Sequence, residues 1–283
     1  MAVYYTTPQK VAEYLNLTAF SATTIPTKQS VENLIMRVEN SIDGTIMNSY
    51  RERQVYQEIH NLENKYYYGS GIPVHLLHRP VQSFDTTKGD KLEIWDGSSW
   101  VDWTSTKTND RNGGDYHIDT TQGTLWILSQ FAASRRYRIR ITYRYGDYSS
   151  TTVTGIQNKG GTTLTVGSTA GFDQQGTIRL YMAGDTTQEI HYTGKTSTTF
   201  TGCVWGANNT TSADTVGGET VFQTSLDIED LATKMVALEL LRTNFRTNLV
   251  PISGELNIND IIRDLQADIN QSLRENTQIQ VIS

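Results

Sequence analysis

Helical periodicity sits at the two ends of this chain and strand-like alternation fills its middle, and that segregation limits the possible folds more than any other feature. Val31, Leu34, Ile35, Val38 and Ile42 recur at steps of three and four, which puts them on one stripe of a helix. This helix begins near Thr27 and stops at Gly44 or runs on to Ile46. A shorter helix precedes it. Thr7 is a suitable N-cap, Pro8 fits the first helical position, and Val11, Tyr14 and Leu15 follow at helical spacing. Helical spacing returns after Ser225, where Asp227 can cap a helix. Leu231, Met235, Leu238 and Phe245 extend one face from Ile228, while Ala232, Val236 and Leu240 make a second. After the breaks at Pro251 and Gly254, a last helix starts near Asn259, with Ile262, Leu265, Ile269 and Leu273 in line behind Ile258.

An apolar stripe has to be covered, and the simplest cover for the end helices is each other. The predicted architecture is therefore α+β: a helical platform from both chain ends, an antiparallel β region, and an inserted small all-β barrel or sandwich. Strands are predicted at 53–60, 73–78, 91–95, 100–104, 115–119, 124–128 and 135–145, with Asp96-Gly97 as a hairpin signal. Composition shifts at about Ser149, after which the chain is rich in Thr and Gly and poor in charge, with short strands at 163–166, 177–182, 189–193 and 198–203 and one near Val221. The domain boundaries that follow are 1–150 for the platform, 151–224 for the β module and 225–283 for the helices completing the platform.

Few chemical classes remain open. The formal charge is -6 over 283 residues, whereas a protein gripping nucleic acid along its backbone needs clustered cations. The single cysteine, Cys203, cannot form an internal disulfide and reads as a small buried thiol. The opening Met1-Ala2-Val3-Tyr4-Tyr5 lacks the basic region and apolar run of a signal peptide, and no stretch approaches the ~20 apolar residues of a membrane span. His75 and His78, three apart on a predicted strand, point to opposite faces and make a poor metal pair. The Gly pairs at 113–114, 160–161 and 217–218 lack the context of a phosphate-binding loop and read as turns. No catalytic constellation, metal site or cofactor motif stands out, so no enzyme is expected and no cofactor is assigned.

Two charge patterns are more informative. Arg136, Arg138, Arg140 and Arg144 share one face of the last strand before the Thr/Gly-rich stretch, and Tyr137, Ile139, Ile141 and Tyr143 take the other. That face is either solvated or a docking surface for an acidic partner or neighbouring subunit, since arginine forks bind carboxylates bidentately; direct DNA contact is a third reading. On the last helix Asp260, Asp264 and Asp268 recur at four-residue steps, a local repulsion of a few tenths of a kcal/mol per pair. They form either a solubilising face or an acidic lining that keeps a polyanion from sticking.

The order of several motifs resembles the head–tail connector (adaptor) proteins of long-tailed bacteriophages. Thr7-Pro8-Gln9-Lys10-Val11-Ala12-Glu13-Tyr14-Leu15 is similar to the family's short first helix, and Val31-Glu32-Asn33-Leu34-Ile35 through Ile42 to its second. Tyr66-Tyr67-Tyr68-Gly69-Ser70-Gly71, followed by Leu76-Leu77-His78-Arg79-Pro80-Val81, resembles an aromatic-Gly step into a strand ending in Arg-Pro-Val. Gly123-Thr124-Leu125 and the run Ile139 to Gly146 resemble its later hairpin, and Asp227-Ile228-Glu229-Asp230-Leu231-Ala232 the start of its next helix. The match covers roughly 1–150 and 225–283. The stretch 163–222, with Glu189-Ile190-His191-Tyr192-Thr193-Gly194 and Phe200-Thr201-Gly202-Cys203, resembles a small β module of phage virion proteins, which family connectors usually lack.

The resemblance implies a virion protein of the neck, made in the host cytoplasm. It implies a homo-oligomeric ring of twelve copies joining the portal protein to a tail or neck completion protein, with DNA passing through and no membrane involved. The end helices would carry ring packing or portal docking. The rival expectation is a receptor-binding or baseplate component whose β module binds a glycan through stacking faces among Trp95, Trp100, Trp103, Trp126 and Trp205.

Overall fold

The computed structural model describes residues 3–46, 48–61, 71–128, 139–182, 186–243 and 258–276. It is mixed α/β, with five helices and several antiparallel sheets among the described residues. The chain divides into two compact units, Met1–Ile46 with Tyr148–Ser283, and Met47–Asp147. This grouping differs from the three-part division drawn from composition: the Thr/Gly-rich strands cluster with the end helices, and the β region 47–147 forms the other unit.

The first unit opens with α1 (Pro8–Tyr14), whose Thr7 hydroxyl accepts the Lys10 N–H at 3.3 Å with Pro8 at the first position. Helix α2 (Lys28–Ile46) runs through Gly44, and its stripe Val31, Ile35, Val38, Ile42 and Ile46 is buried.

The second unit follows. Strand β1 (Arg53–His60), β2 (Ile72–His75), β3 (Lys91–Trp95), β4 (Trp100–Asp102), a one-turn helix α3 (Trp103–Thr106), β5 (Tyr116–Asp119), β6 (Thr124–Ile127) and β7 (Ile139–Tyr145) form two sheets, ordered β1-β7-β3-β4 and β2-β6-β5. One core joins them, with Leu92, Ile94, Ile139, Ile141 and Tyr143 from the first and Val74, Leu125, Ile127, Tyr116 and Ile118 from the second. The strand expected over 100–104 stops at Asp102, because the Asp102 carboxylate accepts the N–H groups of Thr104 and Ser105 and caps a helical turn instead. The start of the strand expected from 135 lies outside the described residues.

The chain then returns to the first unit. Strands β8 (Ser149–Thr152), β9 (Thr163–Thr165), β10 (Gly176–Met182), β11 (Thr186–Tyr192), β12 (Gly194–Lys195), β13 (Thr199–Thr201), β14 (Val204–Trp205) and β15 (Thr220–Gln223) form sheets ordered β14-β11-β10-β15-β8 and β12-β13-β9. Leu164, Ile178, Leu180, Ile190, Tyr192, Phe200 and Val221 fill their core. Neither sheet closes into a barrel among the described residues, so the barrel form of the expectation does not hold.

Helix α4 (Leu226–Arg242) begins after Ser225, which places Asp227 in the first turn rather than at the cap. Leu231, Ala232, Val236, Leu238 and Leu240 are all buried, so α4 is covered on two sides, and it packs against α1, α2 and the last helix, α5 (Ile258–Asn276). Leu265 and Ile269 of α5 are buried. Phe245 lies outside the described residues. The helices from the two chain ends thus cover one another's stripes.

Candidate functional site

The arginine strand divides as its alternation predicts, with Ile139, Ile141 and Tyr143 fully buried. On the opposite face, Arg140 and Arg144 are not solvated cations. Antiparallel pairing of β3 with β7 sets Glu93 opposite Arg140, and Arg140 donates to both Glu93 oxygens at 2.6 and 2.8 Å while its guanidinium lies 4.5 Å from the Trp100 ring centre. Arg144 is buried. It donates to Asp90 at 2.9 Å, to Glu52 at 3.2 Å and to the Ser83 carbonyl at 2.8 Å. Both forks are therefore occupied within their own unit, and neither is open to an acidic partner. Arg136 and Arg138 lie outside the described residues.

The same strand supports a polar cluster with no local sequence signal. Where β1 bulges between Val55 and Glu58, the buried Glu58 carboxylate contacts His60 Nε2 at 2.5 Å, accepts the Tyr143 hydroxyl at 2.6 Å and accepts the Leu77 N–H at 3.1 Å. Burial alone would raise the Glu58 pKa. The hydrogen bonds from His60 and Tyr143, the His60 charge and the Leu77 N–H outweigh it and hold Glu58 below its ordinary value of 4.5. Burial and the facing carboxylate push the Tyr143 phenol well above its usual range. An ionised carboxylate held by His60, Tyr143 and the Leu77 N–H joins β1, β7 and the segment after β2, which suits bracing the sheet. His78 stacks on Tyr145 at 4.1 Å, His75 contacts the Thr124 hydroxyl at 3.2 Å, and no group of three or more metal-ligating side chains converges among the described residues.

In the first unit the dominant polar feature is also one that sequence reasoning missed. Arg179 on β10 is buried opposite Glu189 on β11 and donates to it at 2.8 Å. Its other nitrogens donate to the Tyr4 carbonyl at 2.5 Å and to Glu229 of α4, which also pairs with Lys10 of α1. Tyr181 and Thr224 donate to the Val3 and Tyr4 carbonyls, each at 2.9 Å, and the buried Glu39 of α2 accepts the N–H groups of Tyr4 and Tyr5 at 2.6 and 2.9 Å. One buried cation thereby ties the Thr/Gly-rich sheet to α4 and to the segment before α1. Its one sequence trace is a lone charge between Ile178 and Leu180 in a charge-poor stretch. Burial opposes the charge of Glu189, but the Arg179 charge and the Asn208 amide hold its pKa below the usual value.

These depressed carboxylates fix a pH dependence. The Arg140 fork beside Glu93 lowers it as well. A folded-state pKa below the unfolded one contributes stability above the unfolded value and loses it as pH falls through the folded value. Thermal melts followed by circular dichroism are expected to be flat near neutrality and to fall below about pH 4.5, and Glu58→Gln is expected to lower the neutral Tm while shrinking that fall. An unchanged melting temperature down to about pH 3 would contradict the carboxylate account.

The remaining residues singled out from sequence are helical. Asp260, Asp264 and Asp268 lie exposed on α5, with Arg263 at 3.4 Å from Asp260 and 3.6 Å from Asp264, and Lys234 at 3.8 Å from Asp268. Leu231 is fully buried in the helix packing and Ile262 is partly buried. Met235, Leu238 and Ile269 line a cleft of about 370 Å³ between α2, α4 and α5, with Arg37 and Arg242 among its polar residues. Trp205, the one tryptophan of the Thr/Gly-rich stretch, donates its indole N–H to the Gly161 carbonyl at 2.6 Å, Trp103 is buried, and Trp95 packs edge-on against Trp100. Cys203 is buried and its thiol is pushed up to about 11 by burial, which suits packing rather than nucleophilic attack. Comparison with protein-family models and with curated proteins finds no match.

Proposed function

We propose that this chain is a non-enzymatic structural protein of the head–tail connector type. In this reading it assembles as a ring of twelve copies between a portal protein and a tail or neck completion protein, and leaves a passage for DNA. The observation that carries the reading is the mutual packing of α1 and α2 from the start of the chain with α4 and α5 from its end, in the order in which the connector-like motifs occur. The exposed Asp260, Asp264 and Asp268 face supports a surface that repels a passing polyanion. The stretch 151–224 is read as an insertion into the connector body, fastened to it through Arg179.

The test is the mass and shape of the purified chain, alone and mixed with a portal assembly. Annular particles, or portal particles carrying an added collar, are the expected result. A chain that stays monomeric and leaves the portal unchanged overturns the reading.

A further inference from the structure

We infer that Asn112 is a site of spontaneous deamidation, set apart by the fold from the other residues of the chain whose side chains can close on a following glycine. In this step the Gly113 backbone nitrogen loses its proton and attacks the Asn112 side-chain amide carbon. A carbon–nitrogen bond forms, the bond to the amide nitrogen breaks, and ammonia leaves with the proton. Water then opens the five-membered imide at either carbonyl, giving aspartate or isoaspartate. Water is the only co-reactant, and no oxidant or reductant is required.

Three sequence positions have the necessary pairing: Asp43-Gly44, Asp96-Gly97 and Asn112-Gly113. The first lies inside α2, where the Gly44 N–H belongs to the helical hydrogen-bond ladder, and the Asp43 carboxylate accepts the Tyr5 hydroxyl. At the second, the Asp96 carboxylate accepts the Ser98 and Ser99 N–H groups at 2.7 and 2.8 Å and both serine hydroxyls. Those hydrogen bonds, the backbone ones foremost, lower its pKa to about 2, and an ionised carboxylate is a poor electrophile.

Asn112 has neither protection. It is exposed in a turn, its side-chain amide makes no hydrogen bond among the described residues, and the Gly113 N–H makes none either. Nothing lies within 4 Å of where a Gly113 side chain would project, so the turn is uncrowded on that side of the glycine. Asparagine is also the more reactive partner, because its amide is neutral at every physiological pH.

The product changes a structured loop. Asp110 accepts the Gly114 N–H at 3.1 Å and donates its own N–H to the Tyr116 carbonyl at 3.0 Å, which sets the start of β5. An isoaspartate lengthens the backbone between Asp110 and Gly114, and either product adds a negative charge next to the cleft that Phe84, Asp110, Arg111 and His117 line.

The experiment is incubation of the purified full-length chain at mildly alkaline pH and body temperature, with peptide mapping by mass spectrometry over time. The peptide carrying Asn112 is expected to gain the mass of an amide-to-acid exchange and to split into two chromatographic species, while the Asp43 and Asp96 peptides each stay single. Gly113→Ala fits the open space and is expected to suppress the conversion without altering the melting curve. A synthetic peptide of residues 109–115 is the reference for the unfolded rate. If the Asn112 peptide stays intact while the synthetic peptide converts, the fold protects the site and the inference falls. It falls equally if Asp96 isomerises as fast as Asn112 converts.

Discussion

Arg179→Ala is expected to destabilise the first unit by about 3–5 kcal/mol, read as a fall in Tm on the order of 10 °C. The arginine side chain is 6% exposed, and its removal leaves the fully buried Glu189 carboxylate with no cation on β10 opposite it. It also removes one of the two cations on Glu229 and a donor to the Tyr4 carbonyl. The cost comes from uncompensated desolvation and not from the worth of the pair itself. A double variant, Arg179→Leu with Glu189→Leu, should therefore recover much of the loss, because two apolar side chains on paired strands have no charge to solvate. Limited proteolysis supplies a second readout, since cleavage near Tyr4 should accelerate in the single variant. A melting curve unchanged by Arg179→Ala would mean that the sheet and the helices are held by apolar packing alone.

Arg144→Ala should cost the second unit a comparable amount, about 3–5 kcal/mol, and Arg140→Ala distinctly less. The two arginines look equivalent in sequence. In the fold, Arg144 is 7% exposed and faces an Asp90 side chain with no exposure at all, which also caps the Asp85 N–H at 2.8 Å. Arg140 is 21% exposed, and Glu93 keeps Lys91 at 2.9 Å when Arg140 is gone. Water and the lysine soften the second loss but cannot reach the first. Chemical denaturation of both variants checks the ranking, and equal losses would refute it. Charge reversal at Arg140 would set two carboxylates face to face on adjacent strands. It would weaken the sheet itself, so a failure to assemble in that variant reports on folding as much as on docking.

The contrast between these arginines shows where sequence reading stops. Period-two spacing places Arg140 and Arg144 on one face of β7 and the isoleucines on the other, and that follows from the chain alone, because alternation is a property of one strand. What meets each fork depends on which strands lie alongside and in what register, and this is a non-local fact. The β1 bulge that brings Glu58 under Tyr143 is likewise absent from any local pattern, as is the Arg179 junction, whose partners come from residues 4, 189 and 229.

By itself the sequence determined the helical stripes of α1, α2, α4 and α5, the Thr7 and Pro8 start, the Asp96-Gly97 hairpin, the position of most strands and the need of the end helices for a common partner. Each of these depends on residues within a few positions of one another, where propensity, capping and periodicity act directly. Tertiary structure alone decided that the Thr/Gly-rich strands group with the helices, that the sheets stay open among the described residues and that Arg140, Arg144 and Arg179 are spent internally. Those outcomes turn on burial and on long-range pairing of charges, and the cost of an unpaired buried charge appears only once the distant segment that answers it is in place.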